Sequence, residues 1–174
     1  VPPVREQREH LENIIKEARA VSELIAVSPV RPVAAWLGGK RNLAKHLVAR
    51  INAVEHQTYA EPFVGMGGIF LRRSMRPKCE VINDISEDVA TLFRVLQHHY
   101  LPFIEMIRWQ ISSRANFEKL ARQDPSTLTD MQRAARFLYL QRLAFGGKVA
   151  HPQTFGVSPG MGGRFDVSKL VPML

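Results

Sequence analysis

Cysteine is almost missing from the 174 residues: Cys79 stands alone. An intrachain disulfide framework and a cysteine-cluster metal site are thereby excluded, and a reducing, intracellular setting is implied. Long apolar runs are missing too. No stretch approaches the roughly 18 residues that cross a bilayer, and the N-terminal region is charged and helical in pattern instead of carrying an apolar signal core. No membrane partner is expected, and a cytoplasmic location is. Acidic residues are the minority charge, 16 Asp and Glu against 24 Lys and Arg, which leaves a formal +8. Such an excess favours a polyanionic partner, because clustered cations release condensed counterions from nucleic acid. Charge alone names no partner, since many basic proteins bind no nucleic acid.

What is present is the profile of a globular chain, 45% hydrophobic and 23% charged, long enough to bury one core. From Arg5 to Ala26, Leu11, Ile14, Ile15, Ala18, Val21 and Ile25 recur at intervals of three and four. This predicts an amphipathic helix packed on the core or on a partner chain. Pro29 and Pro32 then break it into an extended linker.

After the linker, Trp36-Leu37-Gly38-Gly39-Lys40 predicts a glycine turn opening a helix that carries Leu43, Leu47, Val48 and Ile51. The run Tyr59 to Val64 reads as a strand entering Gly65-Met66-Gly67-Gly68, with a helix beginning at Ile69-Phe70-Leu71. A second strand, Cys79 to Asn83, ends at Asp84, and Ser86 caps a helix carrying Val89, Leu92, Phe93 and Leu96. This alternation predicts an α/β fold with a parallel sheet and crossover helices. Beyond Tyr100 the pattern turns helical: one helix over Leu101 to Ser112, and another through Leu143 that starts at a Thr129/Gln132 capping box. Phe145 to Leu174, rich in Gly and Pro, reads as loops with room for a hairpin. Three units are expected: 1–32 as helix and linker, 33–99 as the α/β part, and 100–174 as a helical and loop region.

The chemistry concentrates in Phe63-Val64-Gly65-Met66-Gly67-Gly68 and in Asp84, 84 − 65 = 19 positions after the first glycine. Glycines admit a ligand close to the backbone, and a helix N-terminus presents unpaired N–H groups to it. An acidic residue at the end of the next strand can accept hydrogen bonds from both hydroxyls of a ribose, which implies an adenosine-containing cofactor. The spacing departs from the G-x-G-x-x-G of nicotinamide and flavin sites, so an oxidoreductase is disfavoured. A tight turn with a capping aspartate is the alternative.

Five segments, in order, resemble the D12 (Dam-like) class of DNA adenine-N6 methyltransferases. Trp36-Leu37-Gly38-Gly39-Lys40 resembles the W-x-G-G-K opening, Glu61 to Gly68 the E-P-F-x-G-x-G segment, and Asn83-Asp84-Ile85 the acidic segment after it. Phe137-Leu138-Tyr139-Leu140-Gln141-Arg142 is similar to the F-L-Y-L-N-R run that opens the DNA-contacting region, and Gly163-Arg164-Phe165-Asp166-Val167 to a G-x-F-N-V element. The resemblance implies a Rossmann-like S-adenosylmethionine-dependent methyltransferase fold with a mostly helical DNA-contacting insertion. It implies Trp36, Lys40, Phe63, Gly65, Gly67, Asp84 and Ile85 as contacts to S-adenosylmethionine. Trp36 would be an apolar wall, Lys40 a partner for the methionyl carboxylate, and Asp84 the ribose holder. A core tryptophan and a solvated lysine are the alternatives for the first two.

Double-stranded DNA is the implied partner, with Arg142, Phe145 and Lys148 as contacts. A core phenylalanine and a solvated lysine are at least as good a description of Phe145 and Lys148. Gln141 stands where the class has Asn, and Gly146-Gly147 where it often has Asn-Gly. No catalytic residue is assigned and no metal is expected. The D-P-P-Y segment, with which the class holds the extruded adenine, has no counterpart in the sequence and is expected beyond Leu174. The expectation is therefore a fragment or truncated form, inactive alone, that a C-terminal segment would complete. A non-catalytic nucleic-acid-binding or regulatory module retaining the cofactor pocket is the competing expectation.

Overall fold

A computed structural model of the chain describes residues 4–21, 24–147, 153–156 and 165. The N-terminal helix, α1 (Val4–Val21), is shorter than its periodicity predicts. Ile25–Ala26 instead forms strand β1, paired antiparallel with β3 (Met75–Arg76), Ile25 opposite Arg76. A strand of two residues takes its backbone partners from fifty positions away, which no local window contains. Leu11 and Ile14 of α1 are 60% and 50% exposed, so at these positions the apolar stripe is not packed on the core.

Helix α2 (Ala44–Asn52) leads into strand β2 (Thr58–Glu61), which pairs in parallel with β4 (Cys79–Ile82). The register runs from Thr58 opposite Cys79 to Glu61 opposite Ile82. The helix expected from Ile69 is not there: a single 3-10 turn, Phe70–Arg72, is followed at once by β3. Arg73 takes an extended backbone, ψ 140°, and turns its buried guanidinium onto the Tyr59 ring, 3.9 Å from its centroid, while pairing with Glu80. Pro77, fully buried a few residues on, has no N–H to continue a helix. Among the described residues the architecture is thus mixed helix and sheet, with two sheets of two strands each.

Four helices complete it: α3 (Glu87–His98), α4 (Tyr100–Ile107), α5 (Arg114–Arg122) and α6 (Asp130–Leu143). The single helix expected over 101–112 stops at Ile107, and α5, a separate element, follows. Tyr139 holds this break: its hydroxyl donates to Ile111 O at 2.8 Å and accepts from Ser113 N at 3.0 Å. Ser113 in turn caps α5 through Asn116 N. Helix α6 starts at the capping box its sequence predicts, with Gln132 N on Thr129 Oγ1 and Thr129 N on Gln132 Oε1. It is buried from Ala134 to Gln141, so all its faces meet other elements. One apolar core joins Val33, Val64 and Met66 to Val89 and Leu92 of α3, Phe103 of α4, Phe117 of α5 and Leu138 of α6. The core therefore runs unbroken across residue 99. After α6, Ala144 forms an antiparallel bridge with Phe155. Apart from Phe165, which packs on the Tyr139 ring at 5.1 Å, the segment Gly163 to Val167 and the chain end lie outside the described residues.

Candidate functional site

The carboxyl ends of β2 and β4 lie side by side because the two strands are parallel and in register. The glycine turn leaves one and Asp84 stands at the end of the other. Val64 N donates to Asn83 O at 3.0 Å and Asn83 N to Glu61 O at 2.9 Å, which extends the ladder to the lip of the sheet. Gly65 and Gly67 have φ of +51° and +73°, values that side chains rarely adopt, and Gly67 N closes the turn onto Val64 O at 2.9 Å. Asp84 then bridges the two strand ends. Its Oδ2 accepts from Gly65 N at 2.8 Å and its Oδ1 from Ser86 N at 3.0 Å. Ser86 is the N-cap residue of α3 but makes no side-chain cap; the carboxylate of Asp84 takes up its backbone N–H.

Opposite this lip, Trp36-Leu37-Gly38-Gly39 makes a type II turn, with Gly38 at φ +77° and Gly39 N on Trp36 O at 2.9 Å. The turn aims the Trp36 indole at Gly65, where a Cβ would lie 2.9 Å from Trp36 Nε1. It also brings Lys40 across to donate to Phe63 O at 3.3 Å. Between these elements lies a cleft of about 930 Å³, within the usual range for small-molecule sites.

Trp36, Lys40, Phe63, Gly65, Asp84 and Arg142 all line this cleft, so residues the sequence singled out over more than a hundred positions share one cavity. Gly67 does not: the side chain it lacks would collide with Leu71 at 2.7 Å, which makes it a packing glycine. Ile85 stands beside Asp84 outside the lining, 92% exposed. Arg142 is half-buried and donates to Val33 O, an anchor for the extended segment before Trp36. Phe145 projects at 70% exposure from the turn after α6, against the core alternative. Lys148 lies outside the described residues. The helix N-terminus expected to serve the cofactor just after Gly68 is replaced by the 3-10 turn, and the Gly65 N–H that could face a ligand is already committed to Asp84.

Sequence reasoning left Glu61 without a role, although it opens the E-P-F segment. Its carboxylate lines the cleft at 8% exposure and accepts from the Tyr59 hydroxyl at 2.9 Å. Burial pushes its pKa above the ordinary carboxylate range, offset in part by the Tyr59 hydrogen bond and by Lys40. The same burial, with the neighbouring Glu61 charge, raises the Tyr59 hydroxyl pKa. The signal that could have found Glu61 is its place as the last residue of the strand, at the carboxyl end where open α/β sheets put their ligands. Among the described residues no group of three or more His, Cys, Asp or Glu could hold a metal, and no helix is long and apolar enough to cross a membrane.

Gly65→Ala tests this geometry. The new methyl would need a left-handed φ and would meet the indole at 2.9 Å, so Trp36 must be displaced or the turn opened. We expect a loss of stability of about 1–3 kcal/mol, the range for a side chain forced into a sparsely allowed backbone region. A red shift of tryptophan emission should accompany it. An unshifted spectrum and melting temperature would show that Trp36 does not seat on this glycine.

Two parallel strand ends, one leaving in a glycine turn and the two linked by an acidic clamp, face an aromatic wall across a cleft of a size suited to a small ligand. The model of the D12 class of N6 adenine-specific DNA methyltransferases matches residues 36–164, and the chain belongs to that family. The chain is similar to the Type II methyltransferase M1.LlaDCHI of Lactococcus lactis subsp. cremoris, 27% identical over 124 residues, which are 68% of this chain and 43% of that protein. It is similar to the DNA N-6-adenine-methyltransferase of Escherichia phage P1, 25% identical over 76% of this chain and 18% of the phage protein. It is also similar to the DNA adenine methylase of Serratia marcescens, 28% identical over 64% of this chain and 42% of the relative. The chain thus spans less than half the length of these relatives.

Proposed function

We propose that the chain forms the S-adenosylmethionine pocket and part of the DNA-contacting surface of a DNA adenine-N6 methyltransferase, on a Rossmann-like methyltransferase fold whose helical DNA-contacting part follows residue 99. The observation that carries this reading is Asp84. A half-buried carboxylate at the carboxyl edge of a parallel sheet lines the cleft, and its two oxygens, each accepting one backbone N–H, keep further acceptor capacity. These can accept from the two hydroxyls of a ribose.

The residues present fit the cofactor's other parts. Lys40 offers an ammonium to the methionyl carboxylate, and Glu61, across the same cavity, offers an acceptor to the methionyl ammonium. Trp36 and the exposed Phe63 line the cleft and offer apolar cover for an adenine, and Ile85, next to Asp84 but outside the lining, is proposed as a contact from its sequence position. When bound, the cofactor supplies a methyl group activated by its sulfonium. The chain's own residues bind and orient it, and the anchored lysine and glutamate fix which way the methionyl tail points. Calorimetry should show the chain binding S-adenosylmethionine in preference to NAD; tighter binding of NAD would overturn the assignment.

The DNA part of the reading rests on the +8 charge and on Arg142 and Phe145 at the end of α6, with Lys148 proposed from its sequence position. Binding to duplex DNA is expected to be weak, largely independent of sequence and steeply reduced by salt, because phosphate contacts dominate it. An affinity that does not respond to salt would show the charge to be a solvated surface only.

A further inference from the structure

We propose that Gln141 and Gly147 are positioning residues for the Trp36 wall, coupling the DNA-facing turn after α6 to the cofactor cleft; this rests on the reading of cleft and turn given above. The extended segment from Val33 to Trp36 is held from two sides. On the cleft side the Trp36 indole seats on Gly65, with its edge toward the Phe137 ring at 6.3 Å. On the other side Gln141, 1% exposed, splits its amide group between two carbonyls: Nε2 donates to Ala35 O at 2.7 Å and to Gly147 O at 2.9 Å.

A single planar NH₂ group donating to both oxygens links them, so neither segment of the junction shifts alone without breaking one of the two bonds, and losing the bond to the Gly147 carbonyl leaves a buried acceptor unpaired. Gly147 tightens the junction further. It has φ +68°, and a Cβ there would lie 2.9 Å from Ala35 Cβ, so backbone and side chain are already in contact. Two residues before it the turn is open: Phe145 is 70% exposed and Gly146 is exposed with φ +66°. A ligand that rearranges this tip moves the Gly147 carbonyl. Through Gln141 the shift reaches Ala35, and through Ala35 it reaches the tryptophan at the cleft. Neither Gln141 nor Gly147 lines the cleft, so an effect of either on the cofactor passes through this junction.

The test uses the whole chain with Trp109→Phe, which removes the other tryptophan, 79% exposed, and leaves Trp36 as sole reporter. In this parent, a short duplex should change the S-adenosylmethionine affinity at least about fivefold, and saturating cofactor should change the DNA affinity by the same factor. In Gln141→Leu and, separately, in Gly147→Ala, each shown to be folded by circular dichroism, Trp36 emission should shift to the red and the coupling should fall below about twofold. A role confined to stability would lower the melting temperature and leave the coupling intact. Folded variants that keep the parent's emission and coupling, or a parent whose cofactor affinity ignores DNA, would overturn the inference while leaving the cofactor site standing. A parent that binds no S-adenosylmethionine overturns the reading of the cleft itself.

Discussion

Replacing Asp84 by alanine is expected to weaken S-adenosylmethionine binding by about 1.5–3 kcal/mol, roughly 10- to 150-fold, the range for hydrogen bonds to an ionised group. Two losses contribute. The ribose hydroxyls lose their charged acceptor, and the Gly65 and Ser86 N–H groups lose theirs, which loosens the glycine turn and the start of α3 together. Asp84→Asn separates the two. It keeps one acceptor oxygen and the side-chain shape but drops the charge, so it should retain the melting temperature better than Asp84→Ala while still binding cofactor more weakly than wild type. Calorimetry alongside thermal unfolding reads both. Equal affinity of wild type and a folded alanine variant would remove Asp84 from the cofactor site and leave it as the clamp between two strand ends.

The second large effect concerns turnover. Saturated with cofactor and DNA, the 174-residue chain alone is expected to transfer no detectable methyl to adenine. Holding the cofactor positions only one reactant. The adenine must also leave the base stack, face the methyl in line and have its exocyclic nitrogen polarised by acceptors. Well-oriented reactants gain roughly 7–11 kcal/mol over free encounter, and a site that orients one partner forfeits much of that. No side chain described at the cleft is arranged for the base, and the sequence has no Asp-Pro-Pro-Tyr run to supply the acceptors and the stacking ring. Supplying such a segment, on the same chain or as a separate one, should switch activity on. Labelled methyl groups appearing on adenine-containing duplexes with the purified chain, free of host enzyme, would place the catalytic residues among those described here. The non-catalytic reading would gain if no added segment restored transfer.

The parts of this molecule that were legible in the sequence are those whose cause is local. Thr129 and Gln132 form their capping box within one turn, and α6 begins where they place it. Helix α3 starts right after Ser86, as its apolar spacing predicts, whereas α2 starts at Ala44, about four residues after the glycine turn expected to open it, with Leu43 as its N-cap. Gly65, with its positive φ, marks a turn that few other residues could make, so the geometry of this turn is legible in the sequence. The failures have a common origin in long-range partners. Strand β1 exists only because β3 lies beside it, and the helix foreseen after Gly68 gives way because Arg73 finds Tyr59 and Glu80. Glu61 belongs to a motif in the sequence, and its hydrogen bond from Tyr59, two residues earlier on the same strand, is local; its place at the cleft beside residues from distant parts of the chain is what no local window contains. Asp84 is expected to face a ligand, and the structure shows its carboxylate holding the Gly65 and Ser86 N–H groups, a role that spacing does not express.

The bonds from α6 to the segment before Trp36 join residues 106 and 109 positions apart in the chain. Closing a loop of that length is entropically costly and comes after local contacts have formed. The neighbouring helices α3 to α6, linked by short connections, can condense first, with the glycine turn assembling on its own strand pair. The wall of the cleft is therefore expected to form after these helices, once the two distant bonds from α6 close.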